Sequence, residues 1–131
     1  MNKLNKIIYI DDQLDIRLMA EYALTYNGNY DVLMCESGAE ALEKIEDFAP
    51  DLILIDVMMP ELDGPTTISE IRKIASFKNT PAIFITAKII PPEVVELMSY
   101  DAAVIGLIHK PFDPKKISER VQSFWDSQTE D

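Results

Sequence analysis

Apolar residues along this chain fall into two alternating patterns. Short unbroken runs, such as Ile7-Ile8-Tyr9-Ile10 and Leu52-Ile53-Leu54-Ile55, alternate with stretches where apolar residues recur every three or four positions. An unbroken apolar run predicts a strand buried on both faces, because a strand with one wet face would alternate. The periodic stretches predict helices with one buried stripe.

Taken in order, Ile7–Ile10 is the first strand, and Ile16, Met19, Ala20, Ala23 and Leu24 mark the first helix. Asn27-Gly28 is expected to stop that helix with a left-handed cap. Tyr30–Cys35 is a more mixed second strand, suited to a sheet edge. Ser37 and Glu40 form a capping box ahead of a helix that turns Ala41, Leu42, Ile45 and Phe48 inward. The third strand ends at Asp56. Pro65 then suits the first turn of a helix with Ile68, Ile71 and Ala75 on its buried face. Pro81–Thr86 is the fourth strand, and Pro91-Pro92-Glu93 opens a short helix through Met98. Val104–His109 is the fifth strand, and Asp113-Pro114 caps a last helix with Ile117, Val121 and Phe124 on one stripe. Five strands alternating with five helices make a (βα)5 chain, hence an α/β protein whose parallel sheet is covered on both sides.

A carboxylate at the mouth of an apolar strand must be paired, hydrated or metal-bound, since unpaired burial is costly. Alone, Asp56 reads as a loop cap. The other strands change that reading. Their carboxyl ends carry Asp11, Asp12, Thr86 and Lys110, and ligands of open parallel sheets bind beyond those ends. Three carboxylates at one mouth repel one another and partly protonate unless a cation joins them. Oxygen-only donors suit a hard divalent ion, with Mg²⁺ the natural choice. Lys110 and the Thr86 hydroxyl then make sense around the oxygens of a phosphoryl group, whose transfer is mostly positioning and charge neutralisation.

On these residues the chain resembles a response-regulator receiver domain, the phosphoacceptor module of two-component signalling, across residues 6–125. The resemblance rests on Asp11-Asp12, on Asp56 with Met59-Pro60 and Asp63-Gly64, on Thr86-Ala87, and on Lys110-Pro111-Phe112. It implies a flavodoxin-like, doubly wound (βα)5 sheet of strand order 2-1-3-4-5. One domain would span 1–131, with 126–131 a polar tail. Asp56 would accept the phosphoryl group from a histidine kinase or a histidine phosphotransfer protein. Asp12 would ligate Mg²⁺ directly and Asp11 through water, with Asp56 and the Met58 carbonyl completing the protein ligands. Thr86 and Lys110 would bind phosphoryl oxygens, helped by the Ala87 amide, and the Lys110-Pro111 bond would be cis. A downstream protein partner would read the face made by residues 91–100, 104–108 and 113–124. The only catalysis implied is of the domain's own aspartyl phosphorylation and dephosphorylation.

One position departs from the family pattern: Leu107 stands three residues before the lysine, where receivers usually carry Tyr or Phe. No output domain is expected after residue 126, which would fit a stand-alone receiver of the chemotaxis type, a relay carrier or sink, or a module of a hybrid kinase. An aspartyl phosphatase would instead place an Asp-x-Asp nucleophile after the first strand and need room for a cap. A flavin module would want Ser, Thr or Gly where Asp11-Asp12 stand.

Composition narrows the partners. Twelve basic against twenty-three acidic residues give a net charge of −11 over 131 residues, which disfavours nucleic acid. No apolar run approaches a bilayer span, and Met1–Lys6 leads into no secretory leader. The single Cys35 fits a reducing cytoplasm and a core position. The expected protein is cytoplasmic and monomeric or weakly dimeric. His109 is read as an ordinary strand residue, Lys88 as a solvated surface lysine, Met58 and Met59 as local packing, with Met58 alternatively bordering the site and shielding it from water, and Phe124 and Trp125 as anchors of the last helix.

Overall fold

The computed structural model describes residues 3–87 and 89–128. Five strands, β1 (Lys6–Ile10), β2 (Asp31–Cys35), β3 (Leu52–Asp56), β4 (Ala82–Thr86) and β5 (Val104–His109), form one parallel sheet of order β2-β1-β3-β4-β5. The helices are α1 (Leu14–Tyr22), α2 (Gly38–Phe48), α3 (Gly64–Arg72), α4 (Pro92–Tyr100) and α5 (Ile117–Ser127). This is the doubly wound arrangement expected, with β2 at an edge.

Alternation along the strands feeds two separate cores. Ile8, Ile10, Ile53, Ile55 and Phe84 pack with α2, α3 and α4 residues such as Ile45, Ile68 and Val94. Ile7, Tyr9, Leu52, Leu54, Ile83, Ile85 and Ile108 pack with Ala20, Leu24, Val121 and Trp125 of the opposite layer. Removing most of one such side chain, as in Ile53→Ala, costs about 2–5 kcal/mol by cavity formation. The same alternation continues past the strand ends. Asp11, Asp56 and Lys110 extend the Tyr9, Leu54 and Ile108 face, whereas Thr86 extends the Phe84 face towards α4.

Local chemistry sets the helix ends. Ser37 caps α2 by accepting from the Glu40 N–H at 3.0 Å, and Glu40 Oε1 returns to the Glu36 N–H at 2.7 Å. Asp63 caps α3 through the Thr66 N–H at 2.8 Å. Three expectations fail locally. Gly28 is not the left-handed residue: its φ is −92°, and Asn29 takes φ 60° instead. The first helix ends in a π-turn over Ala23–Asn27, closed by the Gly28 N–H on the Ala23 carbonyl. Glycine is needed at 28 because a Cβ there would lie 2.6 Å from the Tyr30 ring. Ala75 is exposed in a short 3-10 turn beyond α3, and Phe77 of that turn enters the core in its place. Asp113 caps a single turn through the Lys115 N–H at 2.9 Å, and α5 proper starts only at Ile117.

At the other end, α5 includes Asp126 and Ser127, so the expected polar tail begins inside the last helix turn, while residues 129–131 lie outside those described. Trp125 is the deeper anchor of α5, and half-buried Phe124 lies where a Cβ on Gly106 would stand. No helix among the described residues is long and apolar enough to cross a membrane.

Candidate functional site

β1 and β3 are neighbours, and the chain leaves β1 towards β2 on one side while β3 leads to β4 on the other. Ligand crevices of open sheets lie at such a reversal. There the structure brings together Asp11, Asp12 and Asp56, each offering one carboxylate oxygen within 4.8 Å of the other two. Lys110 reaches in from the end of β5, its Nζ 2.9 Å from Asp11 Oδ2 and 3.3 Å from Asp56 Oδ2.

These groups differ in their surroundings. Asp11 is fully buried, Asp56 is 5% exposed and Asp12 is exposed. Burial, reinforced by the neighbouring Asp11 charge, pushes the Asp56 carboxyl up to about 6, and Lys110 only partly offsets this. Asp11 is fixed by the Tyr9 hydroxyl, which donates to Oδ2 at 3.2 Å, and by the Gln13 N–H, which donates to Oδ1 at 3.0 Å. Arg17 donates to the Asp11 carbonyl at 2.8 Å. Burial, with Asp11 adding to it, holds the Tyr9 hydroxyl protonated far above its ordinary range, so it remains a donor.

A cavity of about 280 Å³ opens over the cluster, lined by Asp12, Gln13, Asp56, Met58, Ala87 and Lys110. The Met58 side chain is 69% exposed at this rim rather than packed, a departure from the local-packing expectation, whereas Met59 is buried as expected. Gly64 lets the loop after β3 close beneath the site: a Cβ there would sit 2.5 Å from the Asp56 carbonyl oxygen. Thr86 is buried at the end of β4, one residue beyond the Ile85 that pairs with Asp56, and its carbonyl accepts the Lys110 N–H at 2.7 Å. The Lys110-Pro111 peptide bond is cis. His109 is exposed, with Nδ1 3.3 Å from the Ala87 carbonyl oxygen. The expectation for Lys88 lies outside the described residues.

Two site residues escaped the sequence reading. Tyr9 carried a signal, since period-two alternation puts a residue two before Asp11 on the same face, and a buried phenol needs a partner. Gln13, whose Oε1 accepts from Lys110 Nζ at 2.8 Å, carried none.

The fold and the cluster together define a class, the phosphoacceptor-type receivers. Residues 7–122 match the family model for the response regulator receiver domain, and the chain belongs to that family. Among individual relatives, the chemotaxis protein CheY of Bacillus subtilis is 31% identical over 117 residues, covering 89% of this chain and 94% of that protein. The alkaline phosphatase synthesis transcriptional regulatory protein PhoP of the same species is 35% identical over 123 residues, 94% of this chain but 48% of that protein. The chain thus spans about half the length of PhoP and of the algal ycf27 regulators it also matches. Among solved structures, CheY4 of Vibrio cholerae superposes with a TM-score of 0.81 at 28% identity, over 93% of this chain and 99% of that one. Receiver domains are signalling domains of two-component systems, and that is the function of this chain.

Proposed function

We propose that Asp56 is the phosphoacceptor and that phosphohistidine, on a kinase or a histidine phosphotransfer protein, is its donor. The observation that supports this is a mismatch of charge among the described residues: three carboxylates, each with an oxygen within 4.8 Å of the others, meet one ammonium, paired with two of them, beneath an open cavity. The donor set fits Mg²⁺, being oxygen-only and carrying the negative excess that a divalent ion cancels. Asp11, Asp12, Asp56 and the Met58 carbonyl would hold it, and the bound ion would supply charge neutralisation for carboxylates and phosphoryl oxygens alike.

The remaining chemistry belongs to the chain. An Asp56 oxygen attacks phosphorus, the bond from phosphorus to the imidazole nitrogen breaks, and the electron pair leaves with the ring. Lys110 donates from its ammonium to a phosphoryl oxygen, a charge-assisted contact. The Thr86 hydroxyl and the Ala87 amide donate to the others. The acyl phosphate is later hydrolysed at the same site, returning the Asp56 carboxylate and inorganic phosphate.

Output runs from Thr86 to the α4–β5–α5 face. Thr86 lies on the α4 side of the sheet, and Leu107 is half-buried on β5 against that same core. Leu107 has no hydroxyl to trade between inside and outside, so a loop and helix shift replaces a ring flip. A ligand shifts such an equilibrium only by its differential affinity for the two states. Amide exchange across residues 87–100, with and without a phosphoryl mimic, should respond in wild type and not in Thr86→Ala. The acceptor itself is tested by intact mass after incubation with MgCl₂ and acetyl phosphate. Wild type should gain one phosphoryl group and Asp56→Asn none; an equal gain in the variant would overturn the assignment.

A further inference from the structure

Lys110 meets three oxygens, and one of them belongs to a residue that the phosphoryl-transfer reading leaves without a role. Its Nζ is 2.8 Å from Gln13 Oε1, 2.9 Å from Asp11 Oδ2 and 3.3 Å from Asp56 Oδ2. An ammonium has three N–H donors, and these oxygens take all three. The contacts are unequal. Gln13 Oε1 takes a well-formed hydrogen bond at 2.8 Å, whereas the two carboxylates are ion-paired, Asp11 more closely than Asp56.

Gln13 turns its side chain away from its own helix. It is the N-cap residue of α1, with φ −88° and ψ 112°, yet its side chain makes no bond to the helix it begins. Ser, Thr, Asp and Asn at this position fold back onto the first free N–H groups of their own helix; Gln does not share that preference. Gln13 instead reaches a lysine 97 residues away. Its backbone N–H meanwhile holds Asp11 Oδ1. One residue at the cavity wall therefore fixes both the buried carboxylate and the ammonium.

Resting on the reading of Asp56 as acceptor, we propose that Gln13 is a positioning residue that holds the Lys110 ammonium short of Asp56. An ammonium in full contact with Asp56 would stabilise the carboxylate that has to attack, and would have to be withdrawn as the oxygen gives its electron pair to phosphorus. At 3.3 Å the ammonium still pairs with Asp56, but less closely than with Asp11, and it stays within a small swing of an arriving phosphoryl oxygen. Gln13 itself makes and breaks no covalent bond. With acetyl phosphate as donor, the oxygen–phosphorus bond to Asp56 forms while the phosphorus–oxygen bond to acetate breaks, and acetate departs with the electron pair.

Two variants separate positioning from a merely structural role. Gln13→Leu removes the acceptor. Gln13→Asn shortens the side chain and substitutes a residue that prefers to cap its own helix, so it releases Lys110 while steadying α1. Three quantities are measured: the rate of mass gain with acetyl phosphate and MgCl₂, the urea midpoint, and the ¹H–¹⁵N signal of the Lys110 ammonium in metal-free protein. Both variants should be phosphorylated about threefold to tenfold more slowly, the span of one neutral hydrogen bond. The Asn variant should be at least as stable as wild type, and the Lys110 signal should move in both. Wild-type rates in both variants, or an unmoved Lys110 signal, would overturn the role of Gln13 and leave Asp56 as acceptor. A wild type that gains no phosphoryl group would instead overturn the reading of Asp56.

Discussion

The two ends of the sheet both hold ions largely withdrawn from water, and they are built in opposite ways. At the amino end, Arg72 Nε meets Asp101 Oδ2 at 2.9 Å, with side chains 14% and 11% exposed. Arg72 Nη1 donates to the carbonyls of Phe77 and Thr80 at 2.9 and 2.6 Å, and Asp101 Oδ1 accepts the Ala103 N–H at 3.1 Å. One cation meets one anion, and of the guanidinium nitrogens only Nη2 lacks a partner among the described residues. At the carboxyl end three carboxylates cluster, and among the described residues one ammonium, that of Lys110, pairs with two of them. The first arrangement is closed and ties the α3–β4 turn to the start of β5. Among the described residues the second leaves a charge deficit, which is the mark of a site rather than a strut.

The sharpest way to break that contrast is at the closed end. Arg72→Ala strands a carboxylate that is mostly withdrawn from water, and breaking such a pair costs up to about 3–5 kcal/mol. The urea midpoint should fall accordingly, while the folded fraction should still be phosphorylated at the wild-type rate. A loss below about 1 kcal/mol would mean that the pair is incidental. At the open end, Lys110→Met removes the ammonium that meets Asp11 and Asp56, yet should cost less, about 2 kcal/mol in the presence of a chelator. Asp11 keeps the Tyr9 hydroxyl and the Gln13 N–H, Asp12 is exposed, and Asp56 can protonate. Phosphorylation should be lost, and MgCl₂ should raise the midpoint of this variant more than that of wild type, because binding to the folded state alone stabilises it. Global unfolding of Lys110→Met would contradict this.

That asymmetry was only half legible in the sequence. The open end could be read because each of its residues terminates an unbroken apolar strand, and parity places Asp11 with Tyr9 and Asp56 with Leu54 on one face. The closed end could not. Arg72 lies at the end of a helix and Asp101 in a connection 29 residues on, and no period links them. Gln13 was hidden for the same reason, since its partner is far away in sequence. Gly28 misled because the rule that glycine takes the left-handed turn ignores a second reason for glycine, here the Tyr30 ring packed against it.

A smaller effect of the opposite sign belongs to Asp56. Its carboxyl is raised from 3.8 to about 6, chiefly by burial and then by the Asp11 charge. The folded protein therefore prefers the protonated form. The stability this gives is whole below about pH 4 and is lost as pH rises through about 6. In metal-free buffer at pH 7, Asp56→Asn should be more stable than wild type by about 1–2 kcal/mol, the full linkage value discounted for solvent screening. The gap should close towards pH 4. A gap that stays constant from pH 4 to 7 would show that the gain comes from packing and not from relief of charge.

The smallest effect tests whether the amino end depends on matched ions or merely on any charge. Asp51 Oδ2 accepts the N–H groups of Asn5 at 3.1 Å and Lys6 at 2.8 Å, pinning the start of β1 beside the start of β3. The Asp51 N–H returns to the Lys6 carbonyl at 2.8 Å. Asp51→Asn keeps the shape and an oxygen able to take both N–H groups, so it removes the charge and little else. Hydrogen bonds to charged groups exceed neutral ones by about 1 kcal/mol net, and this carboxylate is only half-buried, so the urea midpoint should fall by the equivalent of less than about 1 kcal/mol. Asp51→Ala, which leaves both N–H groups to water, should cost more than Asp51→Asn. If Asp51→Asn instead rivalled Arg72→Ala, charge alone would be holding that end of the sheet, and the contrast between a matched pair below and an unmatched cluster above would fail.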